Sequence, residues 1–195
     1  NDQCLDPKKL ERAITKKTKA IMPVHLTGRI CDMFQINKIA KKYNISVIED
    51  AAQSIGSKYF NKPSGSLGQI GCFSAHPLKN LNAIGDAGFL TTSNIKIYNT
   101  IMDLKNHGMT SDRNKIKKFG YVSRMDNLQA AVLNYRLIRL NKVIAIRRRN
   151  VQYYKKYLNL DNVFVPDEEQ YQFNTYHTFV IQVNKRDQLK EYLRK

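Results

Sequence analysis

The chain has 195 residues, enough for one sizeable domain or for one domain and part of another. Its net charge of +17 favours acidic partners, but the lysines are spread along expected helices, as at Lys38, Lys41 and Lys42, with no RNA-binding aromatic motif or zinc-finger spacing, so nucleic-acid binding is not expected. No charged-then-apolar leader and no long apolar run is present, and Cys4, Cys31 and Cys72, like the four histidines, are too scattered for a disulfide framework or a metal site; a soluble cytoplasmic protein without a membrane span fits.

Residues 6–19 predict a helix, with Leu10 and Ile14 four apart, Asp6 as N-cap and Pro7 at the first helical position. Residues 20–26 read as a strand ended by Thr27-Gly28, and Pro23 places a bulge or the strand's end there. His25 either reaches a cofactor pocket from that strand or is a buried histidine bonded to backbone. Residues 32–42 predict a helix with Phe34, Ile36, Ile39 and Ala40 inward and Asn44 as its stop, followed by a strand over 45–49. Strand, helix and strand at this spacing form a βαβ unit with a right-handed crossover, hence an α/β core with a largely parallel sheet.

A short helix is expected over 51–55, directly after Asp50, and Lys62-Pro63-Ser64-Gly65 reads as a turn. Two short apolar runs, 70–74 and 88–92, flank a polar loop carrying Lys79, and Gly85 and Gly88 bracket Asp86 in a tight turn. A helix over 94–104, a polar surface loop over 105–120 and one long helix from Asp126 to about Leu158 follow; the last is long enough to bridge two domains. Strands over 163–166 and 176–183 and a helix from Lys185 complete the pattern, with no internal repeat and no low-complexity segment.

Asp50 stands at the tip of the run Val47-Ile48-Glu49-Asp50, and Lys79 follows the run that ends at Ser74. Ligands of α/β proteins bind where neighbouring strands end. A carboxylate on one strand end and a lysine after another suit a lysine Schiff base to a pyridoxal ring whose nitrogen faces an acid. Taken singly, the same residues have plainer readings: Lys79 as a solvated charge, Asp50 as a helix cap and Gln53 as an exposed helix glutamine. Glu49 is the poorer partner for the ring, because adjacent strand side chains point to opposite faces. Asn80 and Asn82 read as turn formers.

The ordered stretches VIEDAAQSIG, GSLGQIGCFSAHPLKNLNAIGDAGFLTT and GYVSRMDNLQAAVL resemble the DegT/DnrJ/EryC1/StrS sugar aminotransferases, pyridoxal-phosphate enzymes that make amino sugars on nucleotide carriers. The similarity runs from about Ala20 to about Arg149 and weakens beyond. It implies a type I pyridoxal-phosphate fold: a partial α/β large domain with a mixed, mostly parallel sheet over 1–140, then a bridging helix and the start of a small α/β domain over 141–195. Family members are about twice this length, so the chain reads as the middle of one. The resemblance implies that Lys79 is the Schiff-base lysine and proton shuttle. It likewise implies that Asp50 keeps the pyridine nitrogen protonated, that Gln53 contacts the ring, and that Ser74 binds the cofactor phosphate. It implies a nucleotide-linked keto sugar as acceptor, glutamate as amino donor, a homodimer, and amino sugars for cell-surface polysaccharide or secondary metabolites. Two positions depart from the family pattern. Ala75 replaces the second aromatic of an FSF-like motif, and Val122 stands where relatives carry an asparagine that reaches the phosphate in the neighbouring subunit. The alternatives are a dehydratase-like pyridoxal enzyme, against which Lys79 speaks because those relatives carry histidine there, and a non-catalytic or regulatory protein of the same fold.

Overall fold

A computed structural model describes residues 2–109, 114–158 and 160–194. Helix α1 (Pro7–Ala13) begins where its cap predicts, with the Asp6 carboxylate accepting from Lys8 N, and ends at the C-cap Ile14. Strand β1 is only Ala20–Ile21, shorter than expected. Pro23 has no N–H to give the ladder, and the chain turns at Leu26–Gly28 through left-handed Thr27 (φ 61) and Gly28 (φ 96). Helix α2 (Met33–Lys42) is capped by Asp32, whose carboxylate accepts from Gln35 N. It buries Met33, Ile36, Ile39 and Ala40, but Phe34 faces solvent. Two residues along a helix is about 200° around it, so Phe34 cannot share the face of Ile36.

Strand β2 (Ser46–Asp50) runs parallel to β1 and to β5 (Ile70–Ser74), with Ile21 beside Val47 and Asp50 beside Cys72. Strand β6 (Gly88–Thr91) closes the sheet antiparallel to β5, with Ser74 opposite Gly88. The order β1-β2-β5-β6 is the mixed, mostly parallel sheet that the βαβ reading predicts. Its core joins Ile21, Ile30, Met33, Ile36, Ala40, Val47 and Tyr59.

Residues 51–55 are turns, not a helix. Ser54 N bonds to Ala51 O and Ser57 N to Ser54 O, and left-handed Gly56 (φ 83) ends any helical continuation. Two short strands, β3 (Lys58–Tyr59) and β4 (Lys62–Pro63), form a hairpin through left-handed Phe60 and Asn61, so the turn expected at Lys62 begins only after Pro63. Helix α3 (Ile95–Leu104) is capped by Asn94, and residues 105–122 carry two isolated bridges, Asn106 to Val122 and Met109 to Ile116; residues 110–113 of the expected loop lie outside the described residues.

The single long helix expected from Asp126 is two helices, α4 (Asn127–Leu137) and α5 (Leu140–Tyr157). No proline or glycine marks the break. Arg139 N bonds to Arg136 O there, and Leu133, Leu140 and Ile144 share one cluster with Leu81 and Ala83. Strands β7 (Val163–Phe164) and β9 (Gln182–Val183) pair antiparallel, while β8 (Gln172–Phe173) pairs with β3. Of the strand expected over 176–183 only Gln182–Val183 forms; the carbonyls of Tyr176 and His177 accept from Arg147 on α5 instead. Helix α6 (Arg186–Tyr192) follows. Among the described residues no helix is long and apolar enough to cross a membrane.

Candidate functional site

Parallel β2 and β5 end at the same edge of the sheet, and Asp50 and Ser74 are their last residues. The backbone of Asp50 is fixed on both sides, its N–H donating to Pro23 O and its O accepting from His25 N, each at 3.0 Å. Its Oδ1 accepts from Ala52 N at 3.1 Å, which steadies a turn because no helix follows to be capped. Ser74 Oγ accepts from His76 N at 3.3 Å, which leaves the hydroxyl hydrogen free to donate outward. Half-buried Lys79 follows in the loop 75–87, closed by bonds from Ala75 N to Ala87 O and from Ala83 N to Ala75 O, both 2.8 Å.

Gln53 sits in the turn rather than on a helix. Its Oε1 accepts from Thr27 N at 2.7 Å and so satisfies the amide of a residue in the strained left-handed region; Nε2 remains to donate. The two readings of His25 resolve in favour of burial: its Nε2 lies 2.9 Å from Glu49 Oε2, and its Nδ1 accepts from Cys31 N at 3.3 Å. Glu49 points away from Asp50, as strand alternation requires. Burial works against its charge, but the hydrogen bonds from His25, Gly65 and Gly68 outweigh that and hold its pKa below the ordinary carboxylate value.

Sequence reasoning missed the segment 174–177. Thr175 is a junction: its N–H donates to Gly28 O (3.2 Å), its hydroxyl pairs with Ser57 Oγ (2.9 Å), and its carbonyl accepts from Asn80 Nδ2 (3.2 Å). Asn80 is therefore a strut between the lysine loop and this segment, whereas Asn82, bonding back to Pro77 O, is the turn former expected. Arg147 Nη1 on α5 donates to the carbonyls of Tyr176 and His177 at 3.3 and 3.0 Å. His177 is thereby set beside Lys79. Burial first, then the positive charges of Lys79 and Arg147, push its pKa down to about 4, so the ring is neutral at pH 7. Its buried Nδ1 has no partner among the described residues, and neither has Oδ1 of Asn80. No local pattern marks His177; only the fold brings it to the lysine loop.

These groups fit pyridoxal phosphate. The Asp50 carboxylate and the Ser74 hydroxyl end neighbouring strands at one edge of the sheet, Lys79 lies in the loop that follows β5, and two buried polar atoms near it, His177 Nδ1 and Asn80 Oδ1, have no partner among the described residues. Val122 is exposed, with Tyr121 N bonded to Leu104 O and Ser123 N to Lys105 O on either side.

Residues 1–195 match the model of the DegT/DnrJ/EryC1/StrS aminotransferase family. The chain is 41% identical over 193 residues to the dTDP-3-amino-3,6-dideoxy-alpha-D-galactopyranose transaminase of Aneurinibacillus thermoaerophilus, covering 99% of this chain and 53% of that protein. It is 38% identical over 193 residues to the pleiotropic regulatory protein of Geobacillus stearothermophilus, covering 97% and 52%. Its fold superposes on a DegT DnrJ EryC1 StrS aminotransferase from Brucella abortus with a TM-score of 0.94 at 32% identity, covering 99% of this chain and 53% of that one. The chain spans about half the length of the relatives it matches. The architecture is that of a type I pyridoxal-phosphate transferase.

Proposed function

The chain belongs to the DegT/DnrJ/EryC1/StrS aminotransferase family, and on that premise we propose that the protein is a pyridoxal-phosphate-dependent aminotransferase. It moves an amino group, with glutamate as donor, onto a nucleotide-linked keto sugar. The relatives named for such transaminations support the substrate class. The single observation that supports the reading is that Asp50 and Ser74 end the neighbouring strands β2 and β5 at one edge of the sheet, with Lys79 in the loop that follows β5.

When bound, pyridoxal phosphate supplies an aldehyde for amino groups and a ring that withdraws electrons. Lys79 Nζ would hold that aldehyde and, as a free amine, would carry the proton of the donor's α-carbon. Asp50 would hold a proton on the ring nitrogen, while its Oδ1 also accepts from Ala52 N. Ser74 donates its free hydroxyl hydrogen to the phosphate. Gln53 offers Nε2 to the ring while its oxygen steadies Thr27. The charge of +17 raises the local concentration of an anionic sugar nucleotide. The whole protein works as a homodimer in the cytoplasm, with residues 1–140 in the large domain and 141–195 leading into the small one.

A second reading, a non-catalytic regulator, is favoured by the name of the Geobacillus relative and by valine at 122. Borohydride reduction of the cofactor-loaded whole protein separates the two. We expect pyridoxyl on the peptide containing Lys79; label on another lysine ends the site assignment, and no visible absorbance band on adding cofactor ends the enzyme reading.

A further inference from the structure

Lys79 can act only if its loop presents the amine at a fixed height and angle over the strand edge. The loop's apolar residues set the height: Leu81 and Ala83 are buried against Leu133, Leu140 and Ile144. Hydrophobic contact is non-directional and does not set the angle. Direction comes from hydrogen bonds made to the loop by other elements. Ile84 N donates to Gln129 Oε1 at 2.9 Å, and Asn80 Nδ2 donates to Thr175 O at 3.2 Å. The third tie comes from Arg136 on α4, whose Nη1 donates to Asn82 O at 2.7 Å and to Ala83 O at 3.2 Å. Of the three, only this one is charge-assisted, and such bonds are about twice as strong as neutral ones. It grips two consecutive carbonyls three and four residues after Lys79, and so fixes the rotation of the peptide between them.

We propose that Arg136 is a positioning residue for Lys79: it orients the lysine loop by holding the carbonyls of Asn82 and Ala83 from the last turn of α4. Arg136 lies just before the break between α4 and α5, and Leu140 and Ile144, just after it, pack with Leu81 and Ala83 of the loop. A lysine at this position can donate to either carbonyl as a point charge, but lacks the planar fork that directs arginine's donors.

The proposal rests on Lys79 being the reactive amine, and its test separates the two ideas. In the whole protein, Arg136→Gln is compared with Arg136→Lys and with Leu133→Ala, which removes packing and leaves the clamp. The first readout needs no cofactor: hydrogen exchange of the backbone amides of 79–84 in the apo protein. Arg136→Gln should speed exchange there by about tenfold or more, as expected for losing one to two kcal/mol of local restraint at about 1.4 kcal/mol per tenfold. Arg136→Lys should recover part of that protection. Leu133→Ala should lower the melting temperature without this local signature. In the loaded protein, Arg136→Gln should lower kcat with little change in KM for the sugar nucleotide and shift the pH midpoint of the cofactor absorbance band, and Arg136→Lys should restore part of both. Unchanged exchange at 79–84 overturns the clamp, as does a loss of kcat matched by Leu133→Ala at equal stability. If Arg136→Gln does not fold, the exchange and absorbance of Arg136→Lys decide by the same criteria. A protein that shows the exchange effect but takes no label at Lys79 keeps the clamp and refutes the function.

Discussion

His25 Nε2 and Glu49 Oε2 lie 2.9 Å apart with both side chains sealed from solvent. Glu49 also accepts from Gly65 N (2.8 Å), Leu67 N (2.6 Å) and Gly68 N (2.6 Å), so one carboxylate fastens the loop after β4 and the end of the β1 segment to the middle strand. Asp50, next along β2, is held from behind by this knot. The buried pair thus belongs to the scaffold of the site.

That gives a pH prediction. The folded pKa of Glu49 lies below its ordinary 4.5, so the stability it contributes is complete above that value and disappears as pH falls through the lowered one. Glu49→Gln replaces an acceptor with a donor facing buried N–H groups and should cost about 3 kcal/mol at pH 7. As pH falls below 4.5 the melting temperature of the wild type should drop more steeply than that of Glu49→Gln. Parallel curves for the two proteins would show that Glu49 is not the group titrating.

Asp50→Asn tests charge alone. Asparagine keeps an oxygen for Ala52 N, so the turn and the apo melting temperature should survive. Turnover should drop by about a hundredfold or more, the scale of a misplaced proton in acid–base chemistry. Near wild-type turnover would leave Asp50 as a turn former only.

His177 offers a direct probe of what surrounds Lys79. In the apo whole protein, Lys79→Met should raise the His177 pKa from about 4 part of the way towards the ordinary 6.5, because burial, the largest cause, and the charge of Arg147 both remain. The sign for stability is also set: the unfolded chain binds the proton first, so the contribution of His177 worsens as pH falls from about 6.5 and levels off below about 4. An NMR titration of the imidazole ring in both proteins reads the shift. An unmoved pKa would separate His177 from the lysine.

The parallel sheet and the placing of Asp50, Ser74 and Lys79 were legible in the sequence, because apolar runs of strand length and the motif around them carry that information locally. Residues 51–55 look helical by composition, but left-handed Gly56 follows them, and the joint at Ile138–Arg139 has no proline or glycine to mark it. Phe34 was misplaced by counting apolar residues without their angle. Asn80 meets Thr175 across 95 residues, beyond any local pattern.

Val122 has its backbone fixed on both sides, by Tyr121 N to Leu104 O at 2.7 Å and Ser123 N to Lys105 O at 3.0 Å, and its side chain is 65% exposed. An asparagine there meets no packing obstacle, so Val122→Asn should leave the melting temperature unchanged. The family's asparagine at this position binds the cofactor phosphate of the partner subunit, and valine has no donor for it. One hydrogen bond to a charged group is worth roughly 1.5–3 kcal/mol, and Ser123 alongside offsets part of that loss. In the whole protein Val122→Asn should therefore tighten pyridoxal-phosphate binding by about tenfold, read by absorbance titration, with borohydride still labelling Lys79. Unchanged or weaker affinity would place Val122 away from the phosphate. The substitution would then be a local surface choice, and it would no longer count in favour of a regulator over an enzyme.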